Sequence, residues 1–63
     1  MKNFWCLIKF SDENDVDANL KVRFYCREKD LHTQVMIYVE RIRENNPFFK
    51  NQYYNGFEVI NCE

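Results

Sequence analysis

Three cysteines, one histidine, a run of carboxylates and a basic stretch interleaved with aromatics are the residues of this chain whose chemistry goes beyond packing. Cys6, Cys26 and Cys62 are an odd number at wide, irregular spacing, which argues against the disulfide framework of a small secreted domain. Reduced thiols packed as small apolar groups are the simpler reading. Zinc would need His32 as its fourth ligand, and the set lacks the closely spaced ligand pairs that such sites use. His32 also lacks a Ser or Cys placed to approach it together with a third, orienting group, so no nucleophilic constellation assembles. The carboxylates Asp12, Glu13, Asp15 and Asp17 do not reproduce the alternating ligands, sixth-position Gly and twelfth-position Glu of a calcium loop. Such a run is a solvated turn, or a patch of negative charge offered to a basic groove in another protein. Lys21, Arg23, Arg27 and Lys29 around Tyr25 form the opposite pattern, suited to a phosphate backbone and a stacked base or to a protein interface. No metal, no cofactor and no catalysis are expected.

Two alternating runs must position these groups. Phe4, Cys6, Ile8 and Phe10 share one face of a first strand, with Trp5, Leu7, Lys9 and Ser11 on the other. Leu20, Val22, Phe24 and Cys26 share a face of a second strand, opposite Lys21, Arg23, Tyr25 and Arg27. A one-residue slip would turn a whole set over, so paired positions must share parity; one such register sets Cys6 against Cys26 and Ile8 against Phe24. The segment Ser11 to Asn19 between them, rich in Asp and Asn, reads as a long mobile loop.

Asp30 is placed to cap a helix from Leu31 to about Glu44, whose apolar stripe is Leu31, Val35, Tyr38, Val39 and Ile42. Asn45, Asn46 and Pro47 stop it. An aromatic segment, Phe48 to Tyr54, precedes a turn at Asn55–Gly56 and a last strand from Phe57 to Cys62. The result is an α+β domain of ββαβ order spanning residues 1–63: a three-stranded antiparallel sheet, order 2-1-3, with one helix packed on one face. The reverse face then carries Trp5, Leu7 and Tyr25 among Lys21, Arg23 and Arg27, unless Phe48, Phe49, Tyr53 and Tyr54 fold back over Trp5.

The 63 residues are 46% hydrophobic and 17% aromatic with a single Gly and a single Pro, a folding composition near the lower size limit for one core. A net charge of −1 is not that of a dedicated nucleic-acid binder. The sequence shows neither a secretory-signal pattern nor an apolar run of the ~20 residues that span a bilayer, so a cytoplasmic protein, monomer or homodimer, is expected.

Phe4 and Trp5 opening the first strand, Phe24 and Tyr25 late in the second, and Gly56, Phe57, Glu58 and Val59 opening the third give this order a likeness. In them the chain resembles the small phage-encoded inhibitors of bacterial RNA polymerase. The resemblance implies a ββαβ fold and a non-catalytic protein that occludes a host machine. In that family a second-strand glutamate and last-strand arginines touch the polymerase; the matching positions here are Lys21, Asn61 and Glu63, so no contact residue carries over. The expected function is a phage- or mobile-element-encoded inhibitor or adaptor that docks on a bacterial complex, either RNA polymerase or a defence complex such as a CRISPR effector. Trp5, Leu7 and Tyr25 would anchor it, Lys21, Arg23 and Arg27 would rim it, and Asp12, Glu13, Asp15 and Asp17 would engage a basic surface. The alternative is a small nucleic-acid-binding module using the basic face of the second strand.

Overall fold

The computed structural model describes all 63 residues. Strand β1 (Lys2–Ser11) and strand β2 (Asp17–Cys26) form a hairpin, and a 3-10 turn, Glu28–Asp30, leads into helix α1 (Leu31–Asn45). A single helical turn, α2 (Pro47–Lys50), and strand β3 (Tyr53–Cys62) complete the chain. The sheet is antiparallel throughout with order β2-β1-β3, so the expected α+β architecture is the one observed.

The period-two pattern explains β1. Phe4, Cys6, Ile8 and Phe10 are between 0% and 3% exposed, because as the central strand they are walled on both sides and covered by the helix. From α1 the residues Leu31, Val35 and Val39 close over them, with Tyr38 and Ile42 at the margin. Phe24 meets Tyr38 edge to face at 5.7 Å, which sets one flank of α1 above β2.

Several sequence expectations are corrected. The hairpin register keeps the expected parity but is shifted by four residues: Cys6 lies opposite Val22, Ile8 opposite Leu20, and Cys26 opposite Lys2. All three thiols are free, and the Cys6–Cys26 pairing is absent. The shift follows from the loop, which is short and held rather than long and mobile. Both strands extend to Ser11 and Asp17, and one oxygen of Asp12 accepts from the amides of Asn14 (2.8 Å) and Val16 (3.0 Å). The Asp12 amide donates to the Val16 carbonyl at 3.1 Å, and Asp15 takes a left-handed φ of 60°, which Asp tolerates. Asp30 does not cap α1 with its side chain; its backbone is already helical, since the preceding turn supplies the entry.

The Asn46–Pro47 pair ends α1 as expected and also starts α2. The Asn46 amide bonds back to the Ile42 carbonyl at 2.9 Å, its side chain accepts from the Phe48 amide at 3.0 Å, and Pro47 occupies the first turn. Asn55–Gly56, expected as a turn, lies inside β3 instead. Tyr54 pairs with Phe10 and Phe57 with Ile8, so Asn55 and Gly56 together oppose Lys9 in a β-bulge. Gly56 takes a φ of 104°, and Asn55 donates to the Ser11 hydroxyl at 2.7 Å, fixing the bulge to β1. At the other end Asn3 and Glu63 exchange both backbone bonds, at 2.9 and 2.8 Å.

Candidate interaction surface

The molecule is thin, 36 × 20 × 14 Å between Cα extremes. Its shortest extent holds one sheet and one helical layer, and nothing packs on the reverse of the sheet. The aromatic segment after Pro47 turns to the helix side. Phe49 is 7% exposed and packs on Phe10 at 4.9 Å between ring centroids, and Tyr54 approaches the same ring at 6.0 Å. None of these rings reaches Trp5. Phe48 stacks edge-on against Phe49 at 4.9 Å, and Tyr53, opposite Ser11, stands at the far end of the sheet.

The register assembles the open face from the three strands. Trp5 lies opposite Arg23 on one side and Asn61 on the other; Leu7 lies between Lys21 and Glu58. Lys21 places its ammonium 5.3 Å from the Trp5 ring centroid, and the Arg23 guanidinium carbon stands at 5.9 Å, so the indole carries two cations and is only part-exposed. Neither cation has a carboxylate within 4 Å. Lys9, by contrast, pairs with Glu58 at 3.2 Å; both side chains are substantially exposed, so this bridge contributes at most about 1 kcal/mol. Tyr25, opposite Asn3, is 64% exposed and extends the aromatic surface along β2. Arg27 lies one residue beyond β2, in extended conformation at the edge of the patch.

The ten residues singled out from the sequence therefore fall into two groups. Trp5, Leu7, Lys21, Arg23 and Tyr25 come together, with Arg27 beside them. Asp12, Glu13, Asp15 and Asp17 sit at the opposite end of the hairpin, about 20 Å from Trp5 at ~3.3 Å per residue. Asp17 is a strand residue paired with Ser11, and one Asp12 oxygen is engaged within the loop. Asp12 and Glu13 instead line a cleft of about 580 Å³ with Asn14, Arg43, Lys50, Asn51, Gln52 and Tyr53. Its acidic and basic groups form no ion pair, and the buried Oε1 of Gln52 has no hydrogen-bond partner. Sequence reasoning missed this cleft because its walls come from the hairpin loop, the end of α1, the end of α2 with the turn after it, and the start of β3.

The groups that nominally suit catalysis are differently placed. Burial pushes the Cys6 thiol above the ordinary thiol range, and the neighbouring Cys26 charge adds to this. Cys26 is raised by burial and by Asp30, against a lowering by the N-terminal ammonium. Both are neutral packing groups at physiological pH rather than activated nucleophiles. His32 stacks obliquely on Phe57 at 6.1 Å. No three His, Cys, Asp or Glu side chains converge on a common metal position, and no helix is long and apolar enough to cross a membrane. Comparison of the chain with protein-family models, with curated proteins and with solved structures gave no match in any of the three.

Proposed function

We propose that this chain is a non-catalytic binding protein that docks on a larger bacterial complex through the open face of its sheet and inhibits it by occupying that surface. The observation that carries this reading is the Trp5 ring under two cations that lack carboxylate partners, on a sheet face that no other element covers. An exposed aromatic patch with arginine at its rim has the composition of interaction hot spots, and a small monomer seldom leaves such a patch without use. Trp5, Leu7 and Tyr25 are the anchors; Lys21, Arg23 and Arg27 steer and orient an acidic partner surface. The likeness to phage inhibitors of RNA polymerase supports a phage or mobile-element origin and action in the host cytoplasm, on polymerase or on a defence complex such as a CRISPR effector.

Affinity capture from bacterial lysate with the wild-type chain, followed by quantitative binding to the captured complex, tests this. Trp5→Ala and Arg23→Glu should each weaken binding by about 30-fold or more, the scale of a hot-spot residue, with unchanged circular dichroism. Binding that survives both substitutions overturns the assignment. The same strand face also supports a nucleic-acid reading, because Lys21, Arg23 and Tyr25 alternate with apolar residues along β2. That reading requires oligonucleotide affinity that falls steeply with salt, and the Arg23→Glu chain should lose it. Absence of oligonucleotide binding at low salt removes it.

A further inference from the structure

The two outer edges of the sheet are built differently. On β3 the register breaks twice, at Asn55–Gly56 and at Ile60, which stands unpaired between the partners of Cys6 and Trp5. Bulges of this kind twist an edge and interrupt its regular row of donors and acceptors. On β2 all ten residues from Asp17 to Cys26 pair in unbroken register with β1, and the outer edge has no neighbour. A regular, free, ten-residue edge is a template for another strand.

The two faces of β2 state what that strand must carry. Towards the helix, Ala18, Leu20, Val22 and Phe24 pack against the apolar core yet remain part-exposed, unlike the fully covered residues of β1 beside them. Towards the open side stand Lys21, Arg23, Tyr25 and, just beyond the strand, Arg27, with Asn19 and the single carboxylate, Asp17, at the loop end of the strand. An added strand alternating apolar and acidic residues would extend the apolar row and set carboxylates across from the cations. A second copy of β2 meets the same test poorly when most of the strand overlaps, because antiparallel pairing about Val22 brings Lys21 against Arg23, like charge against like; only a shorter pairing about Leu20 sets Asp17 against Arg23.

We infer that β2 accepts an extended segment of a partner protein as a fourth strand, and that this segment alternates acidic residues, on the Trp5 side, with apolar residues on the helix side. The inference rests on the docking role proposed above and specifies its partner chemistry. Main-chain bonds to the β2 edge supply the alignment, and the Lys21 and Arg23 charges supply the selection.

The probe is a short blocked peptide alternating Glu and Val, titrated into the intact protein while following Trp5 fluorescence and backbone amide shifts. Amide shifts should concentrate on Asp17 to Cys26 rather than on β3. Residues of one face direct their amides to one edge, so N-methylation of either all Glu or all Val residues blocks one edge at a time. One of these two versions should bind at least about tenfold more weakly, and Arg23→Glu should cost as much. A peptide of equal composition with its Glu residues grouped together should also lose at least about tenfold. Equal binding of both N-methylated versions, no peptide binding at all, or shifts confined to β3 overturns strand addition. If in that case Trp5→Ala still abolishes capture of the complex from lysate, the docking face stands and only the strand mode is wrong. If the peptide pairs with β2 while Trp5→Ala and Arg23→Glu leave capture intact, the edge assignment stands and the docking-face reading fails.

Discussion

Replacing Asp12 by Ala tests the feature that sets the hairpin register. One carboxylate oxygen holds the amides of Asn14 and Val16 at 2.8 and 3.0 Å, closing a loop that joins two ten-residue strands. Both bonds are solvent-exposed, so water replaces them in part when the carboxylate is removed; the comparable loss of a helix-capping Asp costs about 1 kcal/mol. With two amides released, about 1.5 kcal/mol is expected. For 63 residues the whole stability is on the order of 3–9 kcal/mol, so the loss is a sizeable share. At about 4–8 °C per kcal/mol in a domain of this size, Tm should fall by roughly 6–12 °C. Thermal melts followed by far-ultraviolet circular dichroism measure this, with Asp12→Asn retaining most of the stability because its side-chain oxygen can still accept both bonds. A drop below about 2 °C for Asp12→Ala would refute the argument that this side chain, rather than strand pairing alone, holds the loop.

Two further outcomes concern the core. Phe49→Ala removes a ring packed at 4.9 Å on Phe10 and should cost about 3 kcal/mol, enough to leave the chain marginal in a urea titration; a loss under about 1 kcal/mol would show that α2 is not anchored through this ring. Burial raises Cys6 and Cys26 above the ordinary thiol value and Tyr54 above the ordinary phenol value, so the folded chain keeps protons that the unfolded chain releases. Stability is then intact below about pH 8.5 and falls as pH rises above it, the tyrosine adding its share above about pH 10. Urea midpoints from neutral pH upwards should decline, less steeply in Cys6→Ala, and a flat alkaline profile would contradict the role of burial.

The architecture was legible because strong local patterns agree with one another. Alternation in Phe4 to Phe10 and Leu20 to Cys26, the 3.6-residue spacing of Leu31, Val35 and Val39, and the Asn46–Pro47 stop all act within a few residues, and together they leave one compact arrangement. Parity of the hairpin was legible for the same reason, since burying Phe4 and Phe24 on one side excludes odd slips. Register was not, because shifts by an even number of residues preserve the pattern equally well. The Asp12 hydrogen bonds, invisible to periodicity, decided among them and thereby separated Cys6 from Cys26. Asn55–Gly56 shows the same division: the dipeptide reads as a turn, and Gly56 does take a positive φ, but pairing with β1 on both sides and the bond from Asn55 to Ser11 make it a bulge rather than a turn.

For the candidate surface, the sequence by itself determined which side chains share the reverse of the sheet, because that follows from the two-residue period of a strand. Only the tertiary structure decided that this face is left open. Phe49 and Tyr54 could have covered either side of a sheet so small, and they settled against Phe10 on the helix side, where the central strand already offers a buried aromatic wall. Burying those rings in one continuous core removes more apolar area from water than a separate cluster around Trp5 would, since Lys21 and Arg23 already lie over the indole and would lose their hydration.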